Sequence, residues 1–196
     1  MVALRKRAPT RMTVDEFLAW DPHDPTGRTW QLIDGEPVAM APGSDAHGSL
    51  QAEICAILRN HLLAEGSPCR VVTEPGIVPR VRANRNYRVP DLGVTCARPT
   101  LGHMMPEPVL LIEILSPSNE DETWANIWTY TTIPSVTEIL AVHSTRIEVE
   151  YLNRAGDGTW PKEPEIIRRE AKLTLRSIEF SIPLAEFYRT TALEEA

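Results

Sequence analysis

Glu113 stands within the most apolar stretch of the chain, Val109-Leu110-Leu111-Ile112-Glu113-Ile114-Leu115, opened by Pro108 and closed by Ser116-Pro117. Such a run reads as a buried central strand. An ionised carboxylate there is costly unless a cation or hydrogen-bond donors meet it. A second acid, Asp91, lies in Tyr87-Arg88-Val89-Pro90-Asp91-Leu92-Gly93-Val94-Thr95-Cys96, another strand-like stretch. Alternation puts Val89, Asp91 and Gly93 on one face of its strand, and Leu111, Glu113 and Leu115 on one face of the other. If the two strands are neighbours and share that face, the carboxylates converge. Two chemistries suit such a pair. One is a hard divalent cation of the magnesium or manganese type, held by carboxylates and waters, with the Ile114 carbonyl as a further oxygen. The other is a structural ion-pair network with Arg82, Arg85 or Arg88. Spacing alone does not choose between them.

Other residue types around this pair bear on the same question. His47, at the start of a helical segment, suits a metal ligand or base, and equally a helix cap or a donor to another site residue. Ser44, Asp45 and His47 look hydrolase-like, but no GxSxG elbow accompanies them. Trp124, Trp128 and Tyr130 have rings that can stack on bases. The helical spacing of the two tryptophans assigns them instead to a core-facing stripe. Glycine-rich phosphate loops, HExxH and dinucleotide fingerprints are absent from the sequence, which disfavours nucleotide cofactors and zinc-protease chemistry.

Size and composition bound the rest. A chain of 196 residues supports one sizeable core. Seventeen prolines favour many short elements joined by rigid turns. A net charge of −7 gives no general electrostatic attraction to nucleic acid. Cys55, Cys69 and Cys96 are odd in number and form no CxxC, so neither a disulfide framework nor a zinc site is expected. That usage, a basic start without an apolar signal segment, and the absence of a membrane-length apolar run predict a soluble cytoplasmic protein with no membrane partner.

The elements that must position the acids follow from local signals. Residues 1–11 read as a flexible basic arm, 12–190 as a single domain and 191–196 as a tail. Thr13 and Glu16 form a capping-box pattern for a short helix. Trp30–Ile33 and 36–40 flank Asp34-Gly35, a hairpin signal. A helix is predicted from His47 to Glu65, ended by Gly66 and Pro68. Strands are predicted near 69–74, 77–82, 88–96, 108–115, 138–142, 147–152, 165–169 and 172–176. A helix at 119–131 carries Trp124, Ile127 and Trp128 inward, and a short helix lies near Leu184–Tyr188. Strand–helix–strand order over 108–143 implies a crossover, and so a mixed central sheet flanked by helices in an α/β (α+β) domain.

Five segments then occur in a telling order: Leu32-Ile33-Asp34-Gly35-Glu36; Ala41-Pro42-Gly43-Ser44 with His47; Arg88-Val89-Pro90-Asp91; Ile112-Glu113-Ile114-Leu115-Ser116-Pro117-Ser118; and Ile133-Pro134-Ser135-Val136 with Glu138-Ile139. Together they resemble the Uma-two-type restriction endonucleases of the PD-(D/E)XK nuclease superfamily, over residues 12–190. The resemblance implies a restriction-endonuclease-like core and hydrolysis of DNA phosphodiester bonds with Mg²⁺ or Mn²⁺. It implies metal ligation by Asp91 and Glu113, with Glu36 as an additional acid; His47, Arg88 and Tyr130 are the candidates, from their own residue types and positions, to surround them. A homodimer, suited to cutting two strands, is the accompanying expectation by analogy. The sequence departs from the superfamily at its lysine. Position 115 is leucine, and Asn126 occupies the place four residues before Tyr130 where relatives carry lysine on the helix. The chain's lysines are Lys6, Lys162 and Lys172, all outside the motifs. An amide carries no charge to stabilise a developing anion, so the rival expectation is a catalytically inactive nuclease-fold module for binding or interaction. A third is a structural protein in which Glu113 meets an arginine.

Overall fold

The computed structural model describes residues 11–117 and 120–193, so the expected basic arm (save Arg11), the end of the tail, Ser118 and Asn119 lie outside the described residues. Its centre is a six-stranded mixed sheet in the order β3-β4-β5-β6-β7-β8, formed by Arg70–Thr73, Leu92–Thr95, Pro108–Leu115, Glu138–His143, Glu148–Asn153 and Glu165–Arg168. Only β5 and β6 are parallel neighbours, and the helix α3 (Glu120–Tyr130) makes the crossover between them. Six apolar or buried positions in a row explain why β5 and β6 take the centre of the sheet.

Alternation along the strands divides the interior into two layers. Leu92, Val94, Leu110, Ile112 and Leu140 face the long helix α2 (Asp45–Ala64) and the C-terminal segment. Leu111, Leu115, Ile139 and Ala141 face α3 through Ile127 and Tyr130. A third, smaller cluster joins α1 (Val14–Leu18) to the hairpin β1 (Trp30–Ile33) and β2 (Glu36–Ala39) through Met12, Phe17, Leu32 and Tyr87. The capping box on α1 and the left-handed Asp34-Gly35 turn form as their sequence signals require.

Three expectations change. The predicted strand 77–82 is not a strand: it makes isolated bridges at Gly76 and Ile77, then turns through left-handed Arg82 into a 3₁₀ turn at Ala83–Arg85. Pro79 cannot donate to a ladder, and the run lacks a continuous partner. A strand absent from the expectation, β10 (Phe180–Pro183), pairs with β9 (Lys172–Leu175). Trp128 is 42 % exposed and stacks obliquely on half-buried Trp124 rather than facing the core.

Cysteine pairing is a fourth correction. Cys69 and Cys96 form a disulfide, and Cys55 is the free cysteine. Arg70 pairs with Thr95 in the antiparallel register of β3 and β4, which sets the two sulfurs opposite each other one step beyond. An odd cysteine count could not reveal that strand register. Peptide mapping without reductant should recover a Cys69–Cys96 link with Cys55 alkylated. Breaking the link should lower unfolding free energy by about 2–4 kcal/mol in a denaturant titration.

Candidate active site

Asp91 lies in the bend that enters β4, and Glu113 lies in the middle of β5. Leu92 pairs with Ile112 and Gly93 with Leu111, so Asp91 and Glu113 occupy the next opposed position. They share the face beneath α3, and each is only 6 % exposed. The convergence expected from alternation is therefore what the fold produces.

The acids are held by backbone, hydroxyl and imidazole groups rather than by arginine or lysine. Asp91 Oδ1 lies 2.9 Å from His47 Nε2, and Oδ2 accepts the Ile114 N–H at 2.7 Å. The main-chain oxygen of Asp91 accepts from Gln51 Nε2 at 3.0 Å and from the Glu74 N–H at 2.9 Å. The Tyr130 hydroxyl donates to Glu113 Oε1. His47 reaches Asp91 because Ser44 caps α2 and accepts the His47 N–H, fixing the first turn beside β4. Among the described residues, no arginine or lysine forms an ion pair with either acid. Arg82 pairs with exposed Asp34 instead.

Burial, and then the negative charge of Asp91, raise the Glu113 carboxyl well above the usual carboxylate range. Burial, and then Glu113, likewise raise the Tyr130 phenol, which keeps its proton and donates it. The hydrogen bond to Asp91 is the main cause raising the His47 imidazole, against the opposing effect of burial, with added pull from Asp91 and Glu74 charge.

The other expected site residues are placed less centrally. Arg88 is buried, and its Nη1 donates to the Leu32 carbonyl while Nε meets no acceptor among the described residues. Burial lowers its pKa, and the charges of Tyr130 and Asp34 act the other way. Asn126 lies on α3 one turn before Tyr130, half-buried, with its side-chain amide in no hydrogen bond among the described residues. Glu36 is exposed on β2, and its carboxylate likewise has no such partner. A further acid that acts on the site is Glu74, in a left-handed conformation just after β3, whose N–H donates to the Asp91 carbonyl and whose charge raises His47; no local signal in the sequence selects it.

A second group of potential ligands also escaped the sequence reading: Glu120, His143 and Glu150 each offer a donor atom, all within 4.8 Å of one another. They come from α3, β6 and β7, whose juxtaposition depends on sheet order.

Both raised groups act with the same sign on stability. A folded state that holds a proton on Glu113 above the ordinary glutamate value of about 4.3 loses that advantage as pH rises toward the raised value. The His47 contribution is complete below about 6.5 and is lost as pH rises through its own raised value. Without divalent ions, the melting temperature should fall between about pH 5 and 8. Glu113→Gln, which keeps the Tyr130 contact without a charge, should flatten that fall. An unchanged slope in calorimetry would show that Glu113 is not its source.

Three comparisons place this geometry among known proteins. In the solved structure of a "putative nuclease belonging to DUF820" from Anabaena variabilis, the fold matches with a TM-score of 0.72 at 17% identity, over 90% of this chain and 97% of that one. An uncharacterized protein of Synechocystis is 28% identical over 200 residues, covering 98% of this chain and 100% of the relative. The family model described as "Putative restriction endonuclease", Uma2, matches residues 14–185. With a six-stranded mixed sheet of the restriction-endonuclease-like kind and a family match over most of its length, the chain belongs to the Uma2 family.

Proposed function

We propose that Asp91 and Glu113 form the metal-holding centre of a DNA endonuclease that uses Mg²⁺ or Mn²⁺. The observation that supports this most is that no arginine or lysine among the described residues pairs with either acid: two buried carboxylates lie against each other with only the His47 imidazole at Asp91, and Glu113 is raised partly by the charge of Asp91. Each carboxylate keeps lone pairs beyond its one or two accepted hydrogen bonds. That donor set fits a hard divalent ion, which prefers oxygen ligands. Such an ion, when bound, polarises a phosphoryl oxygen and lowers the pKa of an attacking water.

The chain's own residues would then divide the work. The Ile114 N–H and His47 fix the orientation of Asp91, and Tyr130 fixes Glu113. His47 in its neutral form can accept a proton from water beside Asp91. Asn126 can orient a water or phosphate oxygen but adds no charge, and exposed Glu36 can assist only through a bound water. Because the protein carries net charge −7, approach to DNA depends on the ion and local groups rather than on the general field. The reading also includes a two-fold pair of copies, one for each strand, acting in the cytoplasm.

Glu113→Ala should abolish Mg²⁺- or Mn²⁺-dependent cleavage of DNA while circular dichroism stays native; cleavage that persists in this variant defeats the assignment. Asn126→Lys restores a cation on the helix, and its rate in a plasmid-nicking assay should rise by about 10²–10³-fold.

The same asparagine favours a second reading, a silent nuclease-fold module that binds without cutting. Calorimetry separates the two. Uptake of Mn²⁺ that weakens with Asp91→Ala supports the enzyme, and no stoichiometric uptake at that pair supports the silent module.

A further inference from the structure

We infer that Glu120, His143 and Glu150 form a second, separate metal site that takes a first-row transition ion such as Zn²⁺ or Mn²⁺. Glu113 pairs with Ala141, Ala141 pairs with Glu150, and Leu115 pairs with His143. The three groups thus lie on the same face of the sheet as the Asp91–Glu113 pair, two strands further across at Glu150, with Ala141 and Leu115 between. His143 ends β6, and Glu120 opens the crossover helix that precedes that strand. The place is the carboxyl end of the parallel pair, where open α/β sheets characteristically bind ligands.

Two observations carry the assignment. The first is the donor set: one imidazole and two carboxylates, with donor atoms within 4.8 Å of one another and His143 only 2 % exposed. Ligands around an ion at zinc-type bond lengths stand about 3–3.6 Å apart, a contraction within reach of two glutamate side chains. The second is a conflict at one nitrogen. His143 Nε2 lies 2.9 Å from Glu150 Oε1, which needs a proton on that nitrogen, and 2.9 Å from Arg146 Nη2, which needs a lone pair there. One nitrogen cannot meet both at once. A metal ion resolves this: Nε2 gives its lone pair to the ion, Glu150 and Glu120 become ligands, and the guanidinium retains Glu148, whose Oε1 is already 2.9 Å from Arg146 Nε. Imidazole with carboxylates suits Zn²⁺, Mn²⁺ or Fe²⁺ better than Mg²⁺ or Ca²⁺. Bound there, the ion ties the first turn of α3 to β6 and β7 and so steadies the helix that ends in Tyr130.

The test reads metal rather than cleavage and keeps the two sites apart. Pulsed electron paramagnetic resonance of the full chain with Mn²⁺ should show imidazole-nitrogen coupling that persists in Glu113→Gln and in His47→Ala but disappears in His143→Ala. Zn²⁺ should raise the melting temperature of Glu113→Gln, whereas His143→Gln, checked for native circular dichroism, should bind Zn²⁺ at least ~10-fold more weakly. The inference is overturned if nitrogen coupling is absent, if it depends on His47 alone, or if both His143 variants bind as wild type does. Any of those results leaves the nuclease reading intact, and loss of cleavage in Glu113→Ala leaves this one untouched.

Discussion

A carboxyl group in the middle of a central strand must be neutral, paired or bound to a cation, and Glu113 imposes that constraint on everything around it. The sheet brings Asp91 beside it, which makes the ionised state harder to hold. Tyr130 donates to it but brings no positive charge. Arg88, though buried nearby, is committed to the Leu32 carbonyl. The third expectation from the sequence, an arginine clasped to Glu113, is therefore not what the described residues form. Charge at this point is left to be offset by a proton or by an ion from solution.

Much of this was legible in the chain because it depends on short-range rules. Period-two alternation faced Asp91 and Glu113 the same way, since one enters and the other lies within a well-defined apolar run, and the two runs are adjacent antiparallel strands. Capping at Thr13 and the Asp34-Gly35 turn needed only neighbours within four residues. What stayed hidden depends on sheet order or register. Glu74 reaches Asp91 through the β3–β4 edge, the Cys69–Cys96 link depends on the same register, and Glu120, His143 and Glu150 meet only once β5, β6 and β7 are ordered. The failed strand at 77–82 and the outward turn of Trp128 show apolar residues overruled by proline and by the narrow buried face of α3.

Glu138 shows what an unambiguous structural acid looks like in the same sheet. It is 1 % exposed, and its oxygens accept the N–H groups of Arg176 and Ser177 at 2.9 Å each, with the Tyr151 hydroxyl as a third donor. Those donors converge from one 3₁₀ turn and a neighbouring strand and leave the group no role beyond closing that turn. Glu113 has a neighbouring acid where Glu138 has backbone amides. Two glutamates on adjacent strands of one sheet are thus distinguished by their partners rather than by their burial.

The hairpin of β1 and β2 rests on a small apolar cluster of its own and joins the rest through the reciprocal Leu32–Tyr87 backbone bonds and the Arg88 guanidinium. Its apolar contacts are separate from the two layers that pack on the six-stranded ladder. An opening of this flap would detach Arg88 from its carbonyl without disturbing the register that opposes Asp91 to Glu113. The hairpin and the ladder therefore adjoin along one short segment, residues 82–89, which holds Gln31, Leu32, Asp34 and Gly35 through backbone and side-chain bonds.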